Sequence, residues 1–231
     1  MTGNEILRRC HAKLSRMGFS TVSLAPDKML ELLVDQMVEI NTRTTLMPAY
    51  VSFDTVVSQR RYRLTVEALG YLNILKILRA SQNGIPVWPE KALQFIGEVD
   101  SGTTPEIGPP RHIWIESETM GASGALPISE KTYNVFPLPD AVYTVQMVCR
   151  MPIPAYTNMA ASLPVRYDSH EAILTACMAE LFAGKDFHDN AMKVLWEQKR
   201  RERESELYGW DARQVMEHPP EISARTLVAV E

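Results

Sequence analysis

Three cysteines, Cys10, Cys149 and Cys177, are odd in number and far apart, which excludes a disulfide framework and points to a reducing place of synthesis. Only eleven glycines occur, and neither GxxxxGK[ST] nor GxGxxG is among the patterns they make, so both phosphate-cradling loops are missing. No apolar run approaches the ~18 residues of a membrane span. The longest, Tyr71 to Leu78, is broken by Asn73 and Lys76. The opening MTGNEILRRCHAKLSRMG carries charge throughout and has no apolar signal core. A basic excess is also lacking: 24 Lys plus Arg face 28 Asp plus Glu, a net charge of −4, which argues against general nucleic-acid binding. What is present is ordinary for a folded chain of 231 residues, 45% hydrophobic and 23% charged, long enough to bury a sizeable core.

Periodicity organises the chain into four parts. Thr2 and Glu5 have capping-box spacing, and Ile6, Cys10, Leu14 and Met17 follow as a helical stripe that Gly18 stops. Pro26-Asp27 opens a second helix, with Asp27 as N-cap and Leu30, Leu33, Met37 and Ile40 as its apolar face; threonines at 42, 44 and 45 and then Pro48 end it. The two form an expected antiparallel hairpin.

From Tyr50 the period becomes two. Tyr62, Leu64 and Val66 alternate with Arg61, Arg63 and Thr65; Leu69 to Arg79 and His112 to Glu116 read as further strands. Val142 to Met151 is the clearest, with Tyr143, Val145, Met147 and Cys149 on one face. A short helix is predicted over Glu90 to Glu98, and a long loop over Thr119 to Glu130. Helices return after Pro164. Asp168 and Glu171 are spaced as cap and partner ahead of Leu174, Cys177, Met178 and Leu181. Asp186 caps the last helix, whose predicted buried face is Phe187, Ala191, Val194 and Leu195.

The fold class that follows is α+β: a four-helix bundle of two N-terminal and two C-terminal helices, an inserted small β domain, and an extended C-terminal arm. The expected boundaries are 1–48 and 161–209 for the helical pairs, 49–160 for the β insertion with its short helix, and 210–231 for the arm.

Catalytic and metal constellations do not emerge. No pair among His11, His112, His170, His188 and His218 has ligand spacing on one helix face, and no CxxC or HxxxH occurs. Gly121-Ala122-Ser123-Gly124 falls short of a nucleophile elbow because Ala125 stands where the downstream glycine belongs. Glu116 and Glu118 share a strand face, as exposed edge residues commonly do. A hydrolase built on Ser123 or His112 is the weakest reading, and the chain is expected not to be an enzyme and to need no cofactor. Lys199, Arg200, Arg201 and Arg203 interleave with Glu197, Glu202, Glu204 and Glu206, which suits a solvated or subunit-facing helix better than a nucleic-acid grip. Tyr208, Trp210, Val215 and Met216 are large apolar residues near a helix end and in an arm unable to bury them locally. They dock on a partner or fold back over their own bundle.

The succession of pieces resembles a known family. A helical pair precedes a β portion containing Arg61-Tyr62-Arg63-Leu64 and Ile113-Trp114-Ile115. Then come Pro137-Leu138-Pro139-Asp140-Ala141-Val142-Tyr143-Thr144-Val145, the break at Arg150-Met151-Pro152, Leu163-Pro164-Val165-Arg166-Tyr167, and two helices with a charged end. In that order the chain resembles the head-to-tail connector adaptors of tailed bacteriophages. The resemblance implies a structural virion protein made in the bacterial cytoplasm and placed at the head–tail neck. It implies a dodecameric ring between the portal protein and a downstream tail or nozzle protein, with packaged double-stranded DNA passing through the lumen without sequence-specific binding. The arm of such proteins reaches the portal, which makes Tyr208, Trp210, Arg213, Val215 and Met216 the expected portal contacts by position. Glu197, Arg200, Arg201 and Glu204 are the expected subunit-interface residues. The alternative is another neck protein, a stopper or tail terminator.

Overall fold

The structure is a computed structural model, and it describes residues 1–21, 24–66, 70–71, 74–89, 106–119, 129–214, 221–223 and 225–228. The chain divides into two compact units. One holds Met1–Met47 and Pro152–Glu217, the other Pro48–Met151 and His218–Glu231.

Among the described residues the first unit contains four α-helices: α1 (Gly3–Arg16), α2 (Pro26–Arg43), α3 (His170–Ala183) and α4 (Asn190–Gln214). The capping box ahead of α1 is formed: Glu5 N–H donates to Thr2 Oγ1 at 3.2 Å and Thr2 N–H to Glu5 Oε2 at 2.9 Å. Gly18, at φ +83°, turns the chain out of α1, where a left-handed residue costs glycine least. α2 begins at Pro26 after Ala25, with no side-chain cap; Asp27 lies inside its first turn, so the cap expected there is displaced. Ile6, Cys10 and Leu14 of α1 join Met29, Leu33, Met37 and Ile40 of α2 in one buried cluster.

α3 is the centre of that cluster. Ala172 to Ala179 are buried without interruption, and Phe182 with them. The expected cap by Asp168 is absent: Asp168 lies in a 3-10 turn (Tyr167–Ser169) and is ion-paired to Arg166 at 2.8 Å. α4 starts later than expected, because Asp189 caps it. Its Oδ1 accepts the N–H groups of Ala191 and Met192, at 2.9 and 3.0 Å. An extended stretch ahead of α3 completes this unit. Tyr156 Oη accepts Gly3 N–H at 3.0 Å and donates to Ala161 O at 2.9 Å, and Asn4 N–H donates to Met159 O.

Among the described residues the second unit is a ten-stranded mixed sheet. Its strands are β1 (Pro48–Asp54), β2 (Arg61–Val66), β3 (Gly70–Tyr71), β4 (Lys76–Gln82), β5 (Ile85–Pro89), β6 (His112–Thr119), β7 (Ser129–Phe136), β8 (Thr144–Arg150), β9 (Glu221–Ser223) and β10 (Arg225–Val228). The order is β10-β2-β7-β6-β5-β4-β8-β1-β9, with β3 also on β2. Asn83 and Gly84, both at positive φ, make the two-residue turn of the β4–β5 hairpin. One face supplies the core: Val51 and Phe53, Tyr62 and Leu64, Ile113, Tyr133 and Val135, and Val145, Met147 and Cys149. Ile77 and Ala80 both belong to it although three residues apart, because a bulge between Ile77 and Arg79 slips the period by one. The two ends of the order, β9 and β10, are one residue apart in sequence. β9 runs parallel to β1 and β10 antiparallel to β2, so the end of the chain spans the two edges and brings the sheet close to a closed barrel.

This overturns the expected fold class in three respects. The β portion is neither small nor a simple insertion, since it has ten strands and recruits the chain's end. The extended arm is absent among the described residues: α4 continues to Gln214, carried by ion pairs one turn apart such as Arg200–Glu204 at 2.7 Å, and residues 221–228 contribute strands. The helices, finally, do not form a bundle of four like stripes, because α3 is buried nearly all round. The predicted helix over Glu90 to Glu98 and most of the loop over Thr119 to Glu130 lie outside the described residues.

Candidate functional site

α4 carries most of the residues singled out for assembly, and its register sorts them. The delayed start at Asn190 turns Trp196 and Leu207 into the core, leaving Val194 64% and Leu195 42% exposed. The expected buried face of Ala191, Val194 and Leu195 is therefore corrected; only Phe187, ahead of the helix, is buried as expected. The aspartate three residues before Met192 was the sequence signal for that register. Two ammonium groups approach the Trp196 ring, Lys13 Nζ at 5.0 Å and Lys199 Nζ at 4.5 Å from its centre.

The four expected subunit-interface residues separate. Arg200 and Glu204 turn inward, with side chains 12% and 13% exposed. Arg200 is 2.8 Å from Glu39 of α2 and 2.7 Å from Glu204; Arg43 pairs with Glu39 and approaches Glu204 at 3.5 Å. This is a four-charge cluster within one chain. Burial alone would raise the Glu39 carboxyl, but Arg200 and Arg43 outweigh it and hold the group below its ordinary value. Glu197 pairs along its own helix with Lys193 at 3.8 Å. Arg201 is exposed.

Of the expected portal contacts, Tyr208 is exposed by 62% on α4. Trp210 and Arg213 lie in the last turns of α4, not in an arm, and Val215 and Met216 are outside the described residues. Tyr208 and Arg201 are separated by two turns, and Val194 by two more, so the three share one outer face with Gln198 and Ser205. The face is apolar at one end, hydroxylic and aromatic at the other, with a cation between.

Cys10, Cys149 and Cys177 are buried and unlinked; burial pushes the Cys10 thiol up to about 12 and the other two upward, which suppresses thiolate formation. Glu116 accepts a long hydrogen bond from Asn134 at 3.4 Å and lies 3.9 Å from Arg61. The His112 ring lies 6.4 Å from that of Phe136, tilted by 41°. Ser123 is outside the described residues. Among the described residues no three of His, Cys, Asp and Glu gather as a metal site, and no helix is long and apolar enough to cross a membrane. A small depression of about 110 Å³ lined by Leu24, Leu32, Leu181 and Phe187 opens beside the Lys28–Asp186 ion pair. Compared with known protein families the chain matches none, and no curated protein matches it.

Proposed function

We propose that this chain is the head-to-tail adaptor of a tailed bacteriophage virion, a ring protein seated on the portal that extends the DNA channel and receives the tail. The observation that carries the reading is the outer face of α4. A 25-residue helix keeps Val194, Leu195, Arg201 and Tyr208 in solvent while Trp196, Arg200, Glu204 and Leu207 turn inward. A helix with one committed and one amphipathic free face suits repeated side-by-side contact, where heterologous interfaces close into a ring by rotation. A net charge of −4 per copy, repeated around a ring, gives an acidic assembly through which DNA slides rather than sticks. The reading assigns no catalysis, no cofactor and no membrane to the chain, and places it in the virion neck after synthesis in the bacterial cytoplasm. The ten-stranded sheet favours a second reading, a stopper or tail terminator.

Negative-stain microscopy with mass analysis, of this protein mixed with the portal ring encoded in the same genome, separates the two. Added density of about twelve copies on the portal's outer end is the expected result, and V194D with Y208A should abolish it in a folded chain. A bare portal, with both proteins folded, sinks the adaptor and leaves the stopper or terminator.

A further inference from the structure

The depression beside the Lys28–Asp186 ion pair belongs wholly to the helical unit. Leu24 and Phe187, both buried, and Leu32 and Leu181, both half-buried, supply its apolar lining. At about 110 Å³ it falls well short of the ~300 Å³ at which small-molecule pockets begin, and nearer the ~150 Å³ that holds a benzene ring. It has the size for one branched aliphatic side chain. Lys28 and Asp186, 3.3 Å apart and each more than half exposed, border it, and Glu180 and Lys185 add one charge of each sign. α4 offers a matching projection. Val194 is 64% exposed, with Leu195 beside it, so Val194 does not occupy the depression of its own chain. Lys193 and Glu197 are ion-paired at 3.8 Å, one residue before Val194 and three after it. An ion pair thus borders the projection as another borders the depression.

We infer that this depression receives Val194 from a second copy of the chain. The Lys193–Glu197 pair of that copy then lies head to tail against Lys28–Asp186, each ammonium facing a carboxylate. Such a contact is heterologous: it needs a projection and a socket on the same chain, and both are present in the helical unit. The apolar fit alone would tolerate two orientations. The opposed ion pairs select one, because the other sets like charges together. The inference rests on reading the free face of α4 as a contact between copies, but not on the portal, and its test uses this protein alone.

Sedimentation velocity of the full chain, from micromolar to millimolar concentration, reads the contact. The wild type should self-associate, and V194D should remain monomeric. K28E with D186K reverses the ion pair of the socket while leaving it paired within the chain, and should weaken association by about fivefold. Adding K193E with E197K reverses the second pair as well, so that opposite charges face each other again, and should restore wild-type association. Both new glutamates stand near the N-terminus of a helix, where the dipole favours them, so the fold is kept. Association that ignores the first reversal, or is not recovered by the second, overturns the inference, and so does V194D associating like wild type. A wild-type chain that stays monomeric at millimolar concentration overturns it too. The adaptor reading survives that result and falls only with a bare portal.

Discussion

The Arg200 guanidinium of α4 lies 2.8 Å from the Glu39 carboxylate of α2, tying the last helix of the chain to the N-terminal pair. Arg200 is nearly buried and holds Glu204 as well, so its loss leaves two carboxylates facing each other with only Arg43 to balance them. R200A should therefore cost about 2 kcal/mol of the helical unit's stability. Urea denaturation followed by far-ultraviolet circular dichroism measures this, and a loss under about 0.5 kcal/mol, as for an ordinary surface change, would show the pair to be ornamental.

Glu39 also sets an acid limit. Its carboxyl is held below the ordinary 4.5, so the folded state binds its proton less readily than the unfolded chain. The stability this gives is complete above 4.5 and is lost as pH falls through the folded value. E39Q should flatten the decline of stability in that acid window. An unchanged slope between wild type and E39Q would place the acid sensitivity elsewhere.

Gly3 is a close-approach glycine. A Cβ there would stand 2.6 Å from Met159 Sδ and 2.8 Å from Tyr156 Oη. The Met159 side chain can swing away, but Tyr156 is anchored by its hydrogen bonds to Gly3 N–H and Ala161 O. G3A should cost about 1–3 kcal/mol despite alanine's better helix propensity. Pairing it with Y156F, which gives up the hydroxyl, should recover part of the loss; thermal melts of the single and double variants decide it.

Deleting residues 218–231 should injure the β unit and spare the helical one. The deletion uncovers the edges of β1 and β2, which β9 and β10 satisfy in the whole chain. Hydrogen exchange should rise across Pro48–Asp54 and Arg61–Val66 while α3 remains protected. Equal protection in the truncated and full chains would mean that the closing strands contribute nothing to the sheet.

Local chemistry was legible from residue order alone. Thr2 and Glu5 announced α1 because a capping box is complete within four residues, and Tyr62 and Leu64 announced β2 because alternation is a property of the strand itself. Ile6, Cys10, Leu14, Leu33, Met37 and Ile40 were readable as core for the same reason: period and hydrophobicity fix a buried face once the helix is known. The buried face of α4 is not legible from Phe187, because Asp189 and not Asp186 caps the helix and Phe187 then lies ahead of it, where it no longer shares the helical phase of Val194 and Leu195.

What the sequence by itself determined is which segments carry a helical and which a strand period, and which residues of α1 and α2 are apolar enough to be inside. Tertiary structure alone decided that α3 is surrounded, that Arg200 turns inward to Glu39, and that residues 221–228 return to the sheet. These depend on partners more than a hundred residues away in the chain. Four-residue strands such as Arg225–Val228 carry too little pattern to declare themselves. They become strands because β1 and β2 present unpaired backbone groups, and satisfying those groups outweighs the segment's own indifference.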